Sequence, residues 1–168
     1  MLHEFITMTE AEMTRLTRDI YAESCRENAQ ERYPDESLTE AIRKEEQGYI
    51  NFFKTFFAQE RNRYYILEGE GVWVCALRLT KLEDGYYLEA LETPEAYRRK
   101  GLAVRLIQEV IALLRERGAV CIRSCVAKTN TASLATHKKC GFIIAQENGV
   151  DYLDHSTSPY TYGMLYTE

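Results

Sequence analysis

The clearest chemistry in this sequence lies in Arg98-Arg99-Lys100-Gly101-Leu102-Ala103. Before it, Tyr86 to Thr93 is rich in aromatic and aliphatic residues and stops at Pro94, as a strand end does. After it, Leu102, Leu106, Val110 and Leu113/Leu114 share one helical face, widened by Ala103, Ile107 and Ile111. Arg105, Gln108, Glu109 and Glu116 fall on the other side. Gly101 therefore stands where a strand turns into a helix. The first N–H groups of a helix have no partner within it, and its macrodipole is positive there, which suits a phosphate. Gly101 and Ala103 carry little or no side chain, so a pyrophosphate can reach the backbone. A glycine that opens a helix is also often a plain turn, and so short a pattern does not separate the two by itself.

The elements that must hold this turn follow from periodicity. Leu2 to Thr7 reads as a first short strand. Thr9-x-x-Glu12 and Ser37-x-x-Glu40 are capping-box patterns, and each opens a helix. Met13, Leu16 and Ile20 mark the first helix; Ala41, Ile42, Tyr49, Phe52, Phe53 and Phe56 mark the second, with Tyr33-Pro34-Asp35 breaking the pair. The Phe52/Phe53/Phe56/Phe57 cluster has the helical spacing of a core, with the lining of a substrate pocket as the other reading. Arg63 to Glu68 and Val72 to Thr80 read as a hairpin across Gly69-Glu70-Gly71, and Asp84-Gly85 turns into the strand before the cradle. Ala119 to Ala127 reads as another strand, leading through Asn130 into a short helix up to Lys139. Phe142 to Gln146 and Tyr160 to Thr167 complete the set as strands joined by a polar loop, giving β-α-α-β-β-β-α-β-α-β-β. Periodicity alone supports a mixed α/β domain.

Size and charge narrow the function. The 168 residues fit one domain, 1–168, and 45% hydrophobic with 28% charged residues is a soluble globular composition. No apolar run approaches the ~20 residues of a membrane span, and the N-terminus lacks a basic, apolar, small-residue signal. A cytoplasmic location is expected, with no membrane partner. The net charge of −5 disfavours a nucleic-acid partner, which calls for a basic surface. After Lys139 there is no Lys or Arg, only Glu147, Asp151, Asp154 and Glu168 among the charged residues; this acidic end is solvated surface or an attractor for a cationic substrate. The five cysteines are odd in number and lack C-x-x-C, so buried, reduced thiols are expected, with Cys121 and Cys125 sharing a strand face. His3, His137 and His155 are scattered, and nothing has metal-ligand spacing.

Taken together, these features resemble the GNAT superfamily of acetyl-CoA-dependent N-acetyltransferases. That family's acyl-CoA pattern is Arg/Gln-x-x-Gly-x-Gly/Ala, then helix and strand, then Asn-x-x-Ala/Ser-x-x-x-Tyr-x-x-x-Gly-Phe. The sequence matches at Arg98, Gly101, Ala103, Asn130, Ser133, Gly141 and Phe142, and departs at His137, where the family has Tyr. The second motif is also faintly similar to that of phosphinothricin-type acetyltransferases, whose acceptor is the amine of a small amino acid. The element order resembles the complete family topology, an α/β (α+β) fold with a mixed, mostly antiparallel sheet splayed at the acyl-CoA site.

The resemblance implies that the strand ending at Thr93 and the strand from Val120 part, and that acyl-CoA enters between them. Leu91, Glu92 and Thr93 would meet its pantetheine arm mainly through backbone groups. The pyrophosphate would meet the N–H groups from Arg99 through Gly101, Leu102 and Ala103 to Val104, helped by the charges of Arg98, Arg99 and Lys100. Asn130 would contact the arm, cap the following helix, or do both, with Ser133 beside it. Acetyl transfer also needs a neutral amine, because an ammonium with a pKa near ~10.4 has no lone pair. Glu89 and Glu92 are the candidate bases, Glu89 slightly favoured, and on a regular strand they point to opposite faces unless a bulge intervenes. His137 would protonate the leaving thiolate, or be a structural histidine. A backbone N–H near Leu91 or Glu92 would stabilise the oxyanion. The implied reaction moves an acetyl group to a primary amine of a small molecule or an exposed amino group. The alternative is a non-catalytic acyl-CoA-binding or regulatory member, and a homodimer is left open.

Overall fold

In the computed structural model, which describes residues 1–118 and 120–168, the helices that follow Thr9, Ser37 and Asn130 start at side-chain caps that the sequence provides. Thr9 and Glu12 form a complete capping box at α1 (Glu10–Ile20), and the Ser37 hydroxyl accepts from the Glu40 N–H at α3 (Leu38–Phe57). Between them lies α2 (Ala22–Arg32), a helix absent from the expected order. It buries only Cys25 and Ala29, four residues apart, so it carries no apolar stripe for periodicity to detect. Its end at Arg32 falls where Tyr33-Pro34 was expected to break the chain.

The strands are β1 (Leu2–Phe5), β2 (Asn62–Gly69), β3 (Val72–Leu82), β4 (Gly85–Glu92), β5 (Cys121–Ala127), β6 (Ile143–Gln146), β7 (Gly149–Val150), β8 (Thr157–Ser158) and β9 (Thr161–Thr167). Helices α4 (Leu102–Arg115) and α5 (Thr131–Lys139) follow β4 and β5. Seven strands form one sheet in the order β1-β2-β3-β4-β5-β9-β6, in which β4–β5 is parallel and the other pairs are antiparallel. The small β7–β8 ribbon sits inside the polar loop, a second addition to the expected order. The start expected for β5 at Ala119 lies outside the described residues, and the strand runs from Cys121.

Alternation along β2 sorts its side chains between two cores. Tyr65 and Leu67 face α4, whose Leu106, Ile107, Val110, Ile111 and Leu114 are all buried. Tyr64 and Ile66 face α1 and α3, meeting Leu16, Ile20, Phe53 and Phe56. Each such aliphatic or aromatic side chain contributes about 1.5–3 kcal/mol by leaving water, so both helix layers clamp the sheet. Cys25, Cys75 and Cys140 are buried and free, as expected; Cys121 and Cys125 share the expected face but are only half-buried, a correction to the reading of buried thiols. Glu147 and Glu168 at the acidic end are paired with Lys128 and Arg115, which favours the surface reading of that end.

Candidate active site

Strand β4 does not run straight. Arg78 stands opposite Glu89 and Ala76 opposite Glu92, so Ala90 and Leu91 together oppose the single residue Leu77. Ala90 takes the left-handed conformation (φ 50°), the mark of a β-bulge. The extra residue has a chemical result: Glu89 and Glu92, which alternation would set on opposite faces, lie on the same one. A bulge also increases twist, and beyond it β4 leaves its neighbour. The β4–β5 ladder consists of Tyr86–Ile122, Tyr87–Arg123 and Leu88–Ser124, then stops, although both strands continue. Strand β5 cannot follow β4 because it is paired with β9 along its whole length.

The gap so opened is a cavity of about 180 Å³. Glu89, Ala90 and Leu91 line one side and Cys125, Val126 and Ala127 the other, with Asn130, Ser133 and His137 closing the end. Asn130 caps α5 by accepting from the Ser133 N–H at 3.0 Å and also borders the gap. Thr93 is held by its hydroxyl against Cys75 Sγ (3.1 Å) and by its carbonyl, which accepts from Arg98 Nε (2.8 Å).

Just beyond lies the turn into α4. Arg99 (φ 60°) and Gly101 (φ 75°) are both left-handed, and the first helical hydrogen bond runs from Arg105 N–H to Gly101 C=O. Among the described residues, no N–H group from Arg99 to Val104 donates to a backbone or side-chain acceptor. Successive amides of this kind, around left-handed residues at a helix start, make an anion-binding nest. A Cβ added at Gly101 would meet nothing within 4 Å, so the floor of the nest is open. The three basic side chains are not equivalent. Arg98 bonds Thr93 O, Glu23 (3.0 Å) and Glu92 (3.3 Å), Lys100 reaches Ala96 O (3.0 Å), and Arg99 is exposed with no ion pair among the described residues. Arg98 and Lys100 therefore fasten the turn.

A second, larger cavity of about 370 Å³ lies on the other side of the bulge, between α1–α3 and the sheet. Tyr21, Tyr49, Phe52, Phe53 and Tyr64 supply aromatic walls, and Ala90 borders it as well as the first cavity. Arg78 crosses its wall with the guanidinium over Phe52 (4.7 Å to the ring centre) and paired to Glu89 at 3.3 Å. At the base, the hydroxyls of Tyr21 and Tyr64 are 2.7 Å apart, and burial pushes the Tyr64 hydroxyl up to about 12, so both remain protonated. The aromatic cluster thus divides. Phe53 and Phe56 are core, while Phe52, 39% exposed, faces open space. Sequence reasoning missed Ala90, Arg78, Tyr21 and Tyr64, which come together only through sheet register. The one local hint was Gly48, a glycine inside a helical pattern.

The two candidate bases differ in setting. Glu89 lines the smaller cavity and pairs with Arg78; Glu92 pairs with Arg98 and has the α2 carboxylates Glu23 and Glu27 near it. Burial pushes the Glu92 carboxyl up, its ion pair with Arg98 draws it back, and the nearby Glu23 and Glu27 carboxylates push it up again. His137 is almost fully buried, at 1% exposure, edge-on to Phe142. Its Nδ1 lies 2.8 Å from the Ser133 carbonyl oxygen, which can only accept, so Nδ1 carries the proton and the neutral ring leaves Nε2 bare. Burial lowers the His137 pKa, against the opposing effect of the Ser133 bond. In this resting tautomer Nε2 has no proton to give the thiolate. To serve as the acid, Nε2 must first receive a proton. No group of three or more His, Cys, Asp or Glu is close enough to hold a metal among the described residues, and no helix there is long and apolar enough to cross a membrane.

Comparison with known proteins agrees with this geometry. The chain superposes on PaiA N-acetyltransferase from Thermoplasma acidophilum, solved with coenzyme A, with TM-score 0.67 and 13% identity, covering 100% of this chain and 99% of that one. Similar superpositions are found with a GNAT-family acetyltransferase from Bacillus anthracis (TM-score 0.66, 16% identity, 99% and 94% covered). The ribosomal-protein-S18-alanine N-acetyltransferase from Escherichia coli gives 0.61 at 18% identity, with 99% and 94% covered. No curated protein sequence matches. The sequence does match the acetyltransferase (GNAT) family over residues 17–142, three quarters of its length, and the chain belongs to that family of acyl-CoA-dependent acyltransferases.

Proposed function

We propose that residues 1–168 form one N-acetyltransferase domain that moves an acetyl group from acetyl-CoA to a primary amine, of a small molecule or an exposed amino group, by direct attack. The observation that carries this is Ala90, which borders both cavities: a narrow gap next to an anion nest, and a chamber with aromatic walls. In this reading the pyrophosphate lies on the amides from Arg99 to Val104, and the pantetheine arm lies between Leu91 and Val126 with Asn130 and Ser133 at its side. The acceptor occupies the chamber.

The ammonium gives one proton to Glu89, whose distance from Ala90 along the chain is a single residue. The freed nitrogen attacks the thioester carbon, forming C–N, while a backbone N–H at the bulge near Leu91 or Glu92 receives the oxyanion. Collapse breaks C–S. The second nitrogen proton passes through His137 Nε2, which is bare and so able to receive it, to the departing sulfur. Acetyl-CoA and the ammonium thus become the amide, CoA thiol and one proton.

The test is release of CoA thiol from acetyl-CoA with a panel of small amines and peptide N-termini. Amine-dependent release with the acetylated amine found by mass spectrometry is expected. Tight acetyl-CoA binding without release for any acceptor would instead favour the non-catalytic reading.

A further inference from the structure

The acceptor chamber is itself selective, and three independent features describe what it selects. Its volume, about 370 Å³, is near the lower end of the ~300–1,000 Å³ of small-molecule sites, so the bound part of the acceptor is small. Its walls are dominated by flat aromatic surface. Tyr21 stacks on Tyr49 with ring centres 4.8 Å apart, Tyr49 lies 6.1 Å from Phe53, and Phe52 is 5.8 Å from Phe53.

The second feature is charge. Each ionic side chain lining the chamber already has a protein partner: Arg78 has Glu89 at 3.3 Å, and Arg32 has Glu45 at 3.0 Å. The side chain of Glu45 is only 3% exposed, and that of Arg78 21%. A carboxylate or second ammonium on the acceptor would compete with these pairs, and a Glu45 or Arg78 charge left without its partner is costly because both side chains are shielded, whereas Arg32 is largely exposed. An uncharged body breaks neither pair and removes apolar surface from water on both sides.

The third feature is Gly48. It lies inside the 20-residue α3, where glycine is unfavourable relative to alanine, and it is not among the left-handed residues, so the backbone does not require it. A Cβ built there meets nothing within 4 Å. Packing does not require it either. Gly48 is exposed at the mouth of the chamber one turn before Phe52, and a longer side chain there has open space to enter.

Resting on the acyltransfer reading, we propose that the acceptor is a small primary amine with an aromatic or branched aliphatic body and no second charge. The amine lies beside Ala90, the body lies against Tyr49 and Phe52, and Gly48 sets the size that fits. Five acceptors separate this from the alternatives: 2-phenylethylamine, ethylamine, phenylalanine, 1,5-diaminopentane and an N-terminal peptide. Each is assayed by CoA release with wild type and Gly48→Leu.

For wild type, kcat/KM for 2-phenylethylamine should exceed that for each of the others by at least about tenfold. In Gly48→Leu that preference should fall by about tenfold or more, with ethylamine losing much less than 2-phenylethylamine, because leucine takes the space of the body. Thermal melting should show Gly48→Leu as stable as wild type or more so, since a helix-interior glycine has been replaced by a good helix former. Unchanged acetyl-CoA affinity in a fluorescence titration would place the change in the acceptor chamber. Faster turnover of phenylalanine, the diamine or the peptide would overturn the inference and leave the acyltransfer reading intact. So would a phenylethylamine rate untouched by Gly48→Leu. Absence of turnover with all five and with the wider amine panel would instead overturn the acyltransfer reading beneath it.

Discussion

The two cavities that meet at Ala90 are made of different materials. The side proposed for the acyl donor is largely backbone: unpartnered amides from Arg99 to Val104, a bulge at Ala90, and strand edges freed where the β4–β5 ladder stops at Leu88 and Ser124. The side proposed for the acceptor is almost entirely side chain, with Tyr21 from the α1–α2 junction, Tyr49 and Phe52 from α3, Tyr64 from β2 and Arg78 from β3 converging on it. Backbone recognition suits a ligand whose recognised parts, phosphates and amides, are constant. Side-chain walls can change without disturbing the sheet, so acceptor choice can vary on a fixed frame. The difference teaches where substitutions should act: geometry changes on the donor side, chemistry and shape changes on the acceptor side.

The largest expected effect tests the carboxylate at the junction. Glu89→Gln keeps an acceptor for Arg78 yet removes the base, and kcat should fall about 100-fold or more with acetyl-CoA affinity retained. Steady-state kinetics beside a binding titration checks both halves. Glu92→Gln should cost much less, because Glu92 is engaged with Arg98 and lies toward α2. If the order were reversed, the junction would have to be moved from Glu89 to Glu92.

On the donor side, Gly101→Val strains a left-handed residue (φ 75°) and crowds the nest. One or two charge-assisted hydrogen bonds at about 1.5–3 kcal/mol each correspond to a loss of roughly tenfold or more in acetyl-CoA affinity, readable by calorimetry. Relative preference among amines should not move. A changed amine preference in this variant would break the division between the two sides.

A smaller effect is expected at His137, the proposed carrier of the second nitrogen proton. His137→Phe should lower kcat roughly tenfold, less than the loss of a full general base, and His137→Tyr should recover part of it by restoring a proton carrier. Equal kcat for His137→Phe and wild type would leave the ring as packing alone.

The smallest effect is on stability. Burial holds the His137 pKa below its ordinary 6.5, so the unfolded chain binds its proton more readily. The neutral ring therefore contributes stability that is fully present above pH 6.5 and is lost as pH falls toward the lower folded value. Denaturant melts should show His137→Phe losing part of this acid sensitivity.

The sequence was legible where structure is local. The caps at Thr9 and Ser37, the strand–turn–helix around Gly101 and the Asn130 cap with its following helix all depend on residues within a few positions of one another, and all stand at the expected places. Helix α2 was not legible, because with Cys25 and Ala29 as its buried residues it has no stripe to read and is held by its neighbours. The family resemblance implied the gap between β4 and β5 but not the tautomer of His137, which depends on the Ser133 carbonyl one helical turn away.

By itself, then, the sequence determined the element types, the donor turn and the family resemblance, because backbone nests and amphipathic faces are encoded by neighbours in the chain. Tertiary structure alone decided that Glu89 and Glu92 share a face, since that follows from one extra residue in β4 measured against β3. It also decided the chamber. Tyr21, Tyr64 and Arg78 are far apart in sequence and each reads as ordinary surface or core; only the register of β2 on β3 and the packing of the helices across them bring these residues and Gly48 around one space.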